Sequence, residues 1–594
     1  LKKIILILVL LAVVAGAVIV FILRRPAPAA ADLLPGSTLV FLRVPNFVKA
    51  QAAFQQTSAF ALWQEPVVRA ALDKPLRALD QAAGTRYISD NKTARDVFLD
   101  AMQGEVFVAV TQISPFGPFQ SGLAFGTDTK SKLLQTKLVL AHVERELKKQ
   151  PNIELTEKKY LGVTYTAWRK DPAVTICYTF LNSLLVGTVG ENTMRDIIAQ
   201  FTHNTDGPPA TIAASQAYQN FSQRLPAEAA FVAYINPQPI TVLLGPLLAF
   251  QAQGAGVLSQ LAAIQATGLS VHFERGLCRE TRLTQYKPDS HQPTPPVARK
   301  TIAFTTPQTL LYSTRVTNLA QTYDELTSAL TQTGLLGVND SIARFEQSTR
   351  LAGLRFVEDV LAKLGPETSL ILQWRDGAEY PDVAFVAEIR DAATTRPLLD
   401  QAINIIKRQS LGDLDENSPW DESTAGSHTL RTVRFGASKV APTYVVTDEF
   451  FILALTPDFT RELLAQASGS QPNLTANATY QQAIKSLPTA GTSFHYLDLR
   501  ALYPRLHTLV QGLPANELFD LRQLPAPATV TPHLSPFASV AVDTPAAAIT
   551  TSDSPIGTPV ALIAILGAAW LGNQTQFNLP LGEPTTSSST PAPP

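Results

Sequence analysis

The chain is poor in charge. Asp, Glu, Lys and Arg make up 16% of its 594 residues, where about 25% is usual for a globular protein. With Lys+Arg 48 against Asp+Glu 49, the net charge is -1, so there is no global field to gather nucleic acid or an acidic polymer. Cysteine is nearly absent. Cys177 and Cys278 stand alone, neither in a Cys-x-x-Cys pair nor near a His at metal-ligand spacing, which removes zinc modules and dithiol redox motifs. Two readings of the cysteines stay open: buried thiols packing as small apolar groups, or one disulfide permitted by an oxidising compartment.

The usual catalytic signatures are missing as well. The sequence has no phosphate-binding Gly-x-x-x-x-Gly-Lys-Ser/Thr, no dinucleotide Gly-x-Gly-x-x-Gly after a strand, no His-Glu-x-x-His and no Gly-x-Ser-x-Gly, so nucleotide, zinc-protease and ordinary hydrolase readings lose their handles. The eight histidines, His142, His203, His272, His291, His428, His495, His507 and His533, are scattered, with no second His at i+2 to i+4. Asp413, Asp415 and Asn417 alternate as calcium ligands do, but Ser418 stands where the loop needs Gly and Thr424 where it needs a bidentate Glu, so a solvated acidic loop is the expectation. No catalytic residue, metal ligand or cofactor is implied.

One long apolar run is present. Residues 4–23, "IILILVLLAVVAGAVIVFIL", carry no charge and as a helix would reach about 30 Å, enough to cross the hydrocarbon core of a bilayer. A cleaved signal peptide is the competing reading, given the small residues of "APAAA", but the apolar core exceeds the usual h-region. The slight excess of positive charge before the run predicts a cytoplasmic stub, 1–3, and a bulk outside the cytoplasm. A second apolar stretch, 560–571, is short for a span and reads as a buried helix or an interfacial segment. Residues 573–594 form a Ser/Thr/Pro tail that cannot bury a core.

Between these ends the text is written twice. "PGSTLVFLRVPN" (35–46) returns as "PQTLLYSTRVTN" (307–318), and an ungapped match pairs Leu39 with Leu311, Arg43 with Arg315 and Asn46 with Asn318. "MQGEVFVAVTQ" is answered by "LGPETSLILQW", with Glu105 matched to Glu367; "RDIIAQ" by "RELLAQ"; and "YQNFSQRLPAEAAFVAYIN" by "YQQAIKSLPTAGTSFHYLD", with Tyr218 and Tyr234 matched to Tyr480 and Tyr496. Five echoes in one order predict two tandem α+β domains, each a mainly antiparallel sheet with packed helices. The boundaries follow: spacer 24–34, first repeat 35–286, Pro-rich linker 287–300 and second repeat 301–572. Residues shared by both copies read as requirements of the fold. Arg43 and Arg315 sit at strand ends where a guanidinium ties loop carbonyls or a carboxylate, a ligand-binding role being the alternative.

The passage "LLPGSTLVFLRVPNFVKAQAAFQQTSAFALWQEPVVRAAL", with its Leu-Pro-x-x-Thr strand and its Ala61-Leu62-Trp63-Gln64 segment, resembles the start of an uncharacterised family of bacterial envelope proteins, a domain of unknown function. The resemblance covers about residues 33 to 72 and implies export and a bacterial origin, with no catalytic residues to carry over. The expectation is a single-pass inner-membrane protein, held in the bilayer by residues 4–23, with its bulk in the periplasm or outside the cell. It would act by binding or scaffolding an envelope protein or ligand, not nucleic acid. An extracytoplasmic hydrolase with a site scattered in sequence is one alternative, and adhesion or ligand capture in the cleft between repeats is the other.

Overall fold

A computed structural model describes residues 27–557 apart from 70–86, 90–91, 94–98, 114–120, 150–152, 172–173, 205–209, 227, 249–253, 333–337, 411–420, 435–439, 470 and 512–523. The apolar run at 4–23, the stretch 560–571, the tail and the acidic loop at Asp413, Asp415 and Asn417 lie outside the described residues. Among the described residues no helix is long and apolar enough to cross a membrane.

Runs of β-branched and aromatic residues bounded by short turns form the strands. In the first half these are β1 (Val40–Val44), β2 (Val106–Gln112), β3 (Gly122–Asp128), β4 (Glu154–Tyr160), β5 (Val163–Asp171), β6 (Val174–Leu181), β7 (Leu184–Val189), β8 (Phe231–Ile235), β9 (Ile264–Glu274) and β10 (Leu277–Tyr286). The second half has β11 (Leu311–Val316), β12 (Leu364–Gln373), β13 (Asp382–Ile389), β14 (Asp421–Ala425), β15 (His428–Thr432), β16 (Thr443–Val446), β17 (Phe450–Ala454), β18 (Ser493–Leu497), β19 (Phe537–Thr544) and β20 (Ala547–Ser554). All belong to one 20-stranded sheet, and every pairing in it is antiparallel. A separate small hairpin joins Tyr87–Ser89 to Lys92–Thr93.

The sheet is joined in the middle by β10 and β20, which pair from Cys278 opposite Ser554 to Gln285 opposite Ala547. Outward from that joint the first half runs β10-β9-β8-β1-β2-β3-β7-β6-β5-β4. The second runs β20-β19-β18-β11-β12-β13-β17-β16-β15-β14. Adding ten to each label converts one order into the other, and the two closing strands meet antiparallel, so a local two-fold axis passes through the joint.

Each half packs helices on the sheet around a tyrosine pair. The helices needed below are α1 (Phe47–Phe54), α2 (Ser58–Gln64), α3 (Leu133–Leu147), α4 (Glu191–Phe201), α5 (Gln216–Gln223), α6 (Ala392–Ser410), α7 (Pro457–Ala467), α8 (Ala478–Ile484) and α9 (Leu499–Gln511). Tyr218 of α5 meets Tyr234 of β8 edge to face at 5.1 Å, and Tyr480 of α8 meets Tyr496 of β18 in the same way at 5.1 Å. All four rings are buried. The segments "RDIIAQ" and "RELLAQ" lie in α4 and α7, each directly after the strand at the same place in its half.

Glu105 and Glu367 do matching work. Each is a carboxylate at the start of a strand that turns inward to hold the short 3₁₀ turn preceding β1 or β11: Ala30 N–H donates to Glu105 (2.9 Å), and Lys300 and Thr301 N–H donate to Glu367 (2.9 Å each). The stretch read as a spacer therefore joins the fold from residue 30 onward, with Ala30, Ala31, Leu33 and Leu34 buried in the first core. The linker likewise adheres to the second half: Thr294 N–H donates to Asp543, Val297 N–H to Gly491 O, and Arg299 lies over the Phe494 ring.

One expectation changes in detail. The ungapped match of 35–46 to 307–318 slips by one residue across the strand: Leu39 N–H donates to Val110 O while it is Leu310, not Leu311, that donates to Leu372 O. Thr314, not Arg315, therefore stands where Arg43 does, and each approaches its half's buried glutamate, Arg43 to Glu105 at 3.6 Å and Thr314 to Glu367 at 3.3 Å. The match recovers at Asn46 and Asn318, whose side chains accept from Lys49 and Gln321 N–H at helix starts. The segment 46–63, with Phe47, Ala50, Phe54 and Ala61 at near-helical spacing, folds as two helices, because Thr57 accepts from Phe60 N–H and starts α2 afresh. Finally "YLGVTYTAWR" holds a hairpin, with Leu161 and Gly162 at φ 47° and 83° turning β4 into β5 as a type I′ pair does.

Candidate functional site

Where the halves meet, a cleft of about 550 Å³ opens on one side of the β10–β20 joint. One wall is the β9–β10 hairpin, whose turn is made by Arg275 and Gly276 at φ 52° and 80° and which contributes Glu274, Arg275, Leu277 and Arg279. The other wall comes from the second half: Ala478, Thr479, Gln482, Ala483, Lys485 and Ser486 from α8 and the residues just after it, and Asp498, Arg500 and Ala501 at the start of α9. Ser535, Pro536 and Asp553 close the floor.

An ion pair crosses the joint at the base of the cleft. Arg279 Nε and Nη2 donate to the two carboxylate oxygens of Asp553, both at 2.7 Å, and Nη1 donates to Glu274 at 3.0 Å. Ser486 Oγ donates to Asp553 at 2.8 Å. The side chain of Asp553 is 5% exposed, so this bidentate pair is desolvated and geometrically fixed. Asp498 accepts from Ala501 N–H and caps α9, and Arg500 Nε donates to Leu534 O. The Lys485 side chain makes no hydrogen bond or ion pair among the described residues, and the buried hydroxyl oxygen of Ser535 has no partner among them.

The local two-fold axis supplies an internal comparison. The cross-joint register makes Leu283 and Ile549 the mates of Asp553 and Arg279, and these two apolar residues face each other directly across the joint. On the mate side Arg224 donates to Ala546 O at 3.5 Å, so helix end and hairpin turn touch, whereas Ser486, which corresponds to Arg224, lines the open cleft. Gln238 donates to Ile264 O at 2.8 Å as Arg500 donates to Leu534 O, so Arg500 stands where the mate has an amide. Gln223 corresponds to Lys485 in the same register.

A second cavity, of about 470 Å³, lies in the first half between α3 and strands β5 and β6. Glu144 and Tyr178 hydrogen-bond there, and burial is the main cause that drives the Tyr178 phenol above its ordinary pKa. At the matching place in the second half Leu399, Ala402 and Ile405 of α6 share a core cluster with Tyr444 and Phe451, and Tyr444 OH donates to Asp400 (2.9 Å), just as Tyr178 OH donates to Glu144.

The candidates from sequence are dispersed. Both cysteines are free, buried thiols, which burial pushes up to about 11 for Cys177 and about 12 for Cys278. His291 stacks on Tyr286 at 3.8 Å and contacts Asp543 at 2.8 Å, and His533 contacts Glu65 at 2.9 Å, so both tie segments together. His495 Nδ1 meets Ser313 Oγ at 2.7 Å, a nucleophile–base distance, but no carboxylate orients the imidazole among the described residues. Burial, then the Arg315 charge, pulls the pKa of His495 below its ordinary value. No group of three or more His, Cys, Asp or Glu side chains able to hold a metal occurs among the described residues. Arg43 is spent on Glu105. The cleft residues Arg279 and Asp553 escaped sequence reading because they are 274 positions apart and belong to no motif.

The chain belongs to a family of proteins of unknown function, DUF3352, whose model matches residues 5–524. No functionally curated protein matches it. Among solved structures, crystal forms I and IV of TP0453 are both 11% identical, each matching 44% of this chain, with 80% and 82% of their own length covered and TM-scores of 0.23 and 0.22. At those scores the likeness carries no argument.

Proposed function

We propose that this member of the family is a membrane-tethered binding protein of the bacterial envelope, built by duplication of one α+β domain, whose ligand site is the cleft at the joint between the two copies. The duplication is supported by the repeated strand order and by the paired roles of Glu105 with Glu367 and Tyr234 with Tyr496. The tether is residues 4–23, a 20-residue uncharged apolar run of spanning length. The bulk lies outside the cytoplasm, so a phosphatase fused after Pro594 should be active in bacterial cells, and an inactive fusion at normal abundance would place it inside.

One observation carries the choice of site: two positions related by the local two-fold have diverged, one into an apolar seam closed by Leu283 and Ile549, the other into an open cleft floored by Arg279 and Asp553. Packing alone is served by the apolar seam. A charged, concave version of the same joint adds desolvation cost and concavity of ligand-site size, and ligand binding accounts for both. Gln482 is exposed and lines the cleft, so Gln482→Trp fills it without touching the core. Full-length protein in detergent should show small-molecule stabilisation in a thermal-shift screen, and Gln482→Trp should lose it with an unchanged unliganded melting temperature. Ligand stabilisation that survives in Gln482→Trp would move the site elsewhere.

A further inference from the structure

Resting on that reading of the cleft, we infer that its ligand is a small amphiphilic anion, a carboxylate or phosphate on an apolar body, whose charge is met by Lys485 and Arg500. The cleft walls hold four cationic side chains and three carboxylates. Arg279 is consumed by Asp553 and Glu274, and Arg275 Nε lies 3.4 Å from Glu274. Asp498 is occupied in capping α9. That leaves Lys485 with its charge uncommitted and Arg500 bound through Nε alone, to a neutral carbonyl.

Comparison across the local two-fold singles out the same two residues. At the closed mate the corresponding positions are Gln223 and Gln238, neutral amides, although the backbone contact made by Gln238 is the one Arg500 makes. The fold therefore needs a hydrogen-bond donor at the second position and nothing charged at the first. At these two positions positive charge stands only where the joint is open; the closed flank carries its cations elsewhere, Arg224 on Ala546 O at 3.5 Å and Lys287 Nζ on Gln238 Oε1 at 3.0 Å, both engaged. The Ser535 hydroxyl, buried in the cleft floor and without a hydrogen-bond partner among the described residues, supplies a neutral donor for an anionic oxygen. Leu277, Ala483, Ala501 and Pro536 line the remaining wall and suit an apolar body. With Arg279 paired to Asp553 and Arg275 beside Glu274, Lys485 and Arg500 face the one remaining carboxylate of the lining, Asp498, so the cleft keeps a net single positive charge.

The test is calorimetric titration of full-length protein in a neutral detergent with four eight-carbon probes: octanoate, octyl phosphate, octylammonium and octyl glucoside. Octanoate or octyl phosphate should bind, and the stronger of the two identifies the head group. Octylammonium should not bind, and either Lys485→Gln or Arg500→Gln should weaken the anion about tenfold. Arg500→Lys, which keeps the charge, should recover most of the loss, an outcome that a merely structural role for Arg500 does not give. Binding should also fall as salt rises. Equal binding of octyl glucoside and octanoate, abolished by Gln482→Trp but unaffected by Lys485→Gln, would overturn the anion inference and leave the cleft reading intact. Binding of any probe that persists in Gln482→Trp would overturn both.

Discussion

Replacing Glu367 by Gln tests the account of how each half anchors its own entry segment. The carboxylate is 2% exposed. One oxygen accepts from Thr301 N–H (2.9 Å), Thr301 Oγ1 (2.5 Å) and Thr314 Oγ1 (3.3 Å), and the other accepts from Lys300 N–H (2.9 Å). An amide keeps one acceptor. Placed toward Thr301, it leaves its NH₂ facing the Lys300 N–H, donor against donor in a buried site. The remaining bonds also fall from charge-assisted strength, about 1.5–3 kcal/mol, to about 0.5–1.5 kcal/mol each. Removing a buried charge returns part of that, and a net loss of about 2–3 kcal/mol is expected, or roughly 4–12 °C in melting temperature for a unit of this size. Glu105→Gln is the control. Glu105 is held by one backbone N–H and by Arg43 at 3.6 Å, and burial, the largest influence, raises its pKa against the opposing Ala30 and Arg43 contacts. A carboxyl whose folded pKa is raised contributes most below its ordinary pKa and loses that contribution as pH rises through the folded value. At pH 7 its charge is a liability, so the neutral amide should cost about 1 kcal/mol or less. Thermal unfolding of both variants at pH 7 decides it. Equal losses, or a larger loss at Glu105, would refute the reasoning.

Tyr496→Phe should change stability by about 0.5 kcal/mol or less, or raise it, because its buried hydroxyl has no partner among the described residues. Tyr312→Phe should cost about 1 kcal/mol by removing the 3.0 Å contact with Thr301; urea midpoints compare them. Burial works to raise the pKa of Glu191, but hydrogen bonds from Lys158 and Tyr165 and the charges of Lys158 and Arg195 outweigh it and hold the carboxyl at about 2. Its stabilising contribution is therefore present above about pH 4.5 and lost as pH falls toward 2, and Lys158→Met should flatten the urea midpoint across that window. A protease site inserted within 287–293 and cleaved should leave the two halves co-eluting on gel filtration, because the β10–β20 ladder and the Arg279–Asp553 pair hold them without the covalent link; separation of the fragments would show the joint to be weak.

The legible part of the fold was the part written locally. The echo of Glu105 in Glu367 was legible because both carboxylates perform one local task, holding a turn. Arg43 and Arg315 misled because identity at an ungapped offset competes with hydrogen-bond register, and a one-residue slip in a strand moves a side chain to the other face. The hairpin turn at Leu161 and Gly162 carries no Asn-Gly or Asp-Gly signal, because Leu at φ 47° is an uncommon turn residue. The joint left no signal at all. Strands β10 and β20 have ordinary strand composition, and which edges will pair is decided by three-dimensional closure. For that reason Arg279 and Asp553 were invisible, and so was the cleft they floor.

The joint also explains how a sheet of two halves with matching strand order avoids aggregation. One half alone would end in β10 or β20 as a long unpaired edge, a template for uncontrolled pairing. The antiparallel meeting of the two consumes both edges at once, and among the described residues the edges left outside are β4, "ELTEKKY", and β14, "DESTA", each carrying charged residues along the strand of the kind that discourages further pairing. A two-fold joint necessarily makes two equivalent flanks, and if only cohesion were selected both could close on apolar contacts as Leu283 and Ile549 do. The other flank has Arg279, Lys485, Arg500 and Asp553 where the closed one has Ile549, Gln223, Gln238 and Leu283, and Ser486 where the closed one has Arg224. Cohesion of the sheet therefore accounts for the apolar flank, and the charged flank is the one at which the proposed ligand site is tested.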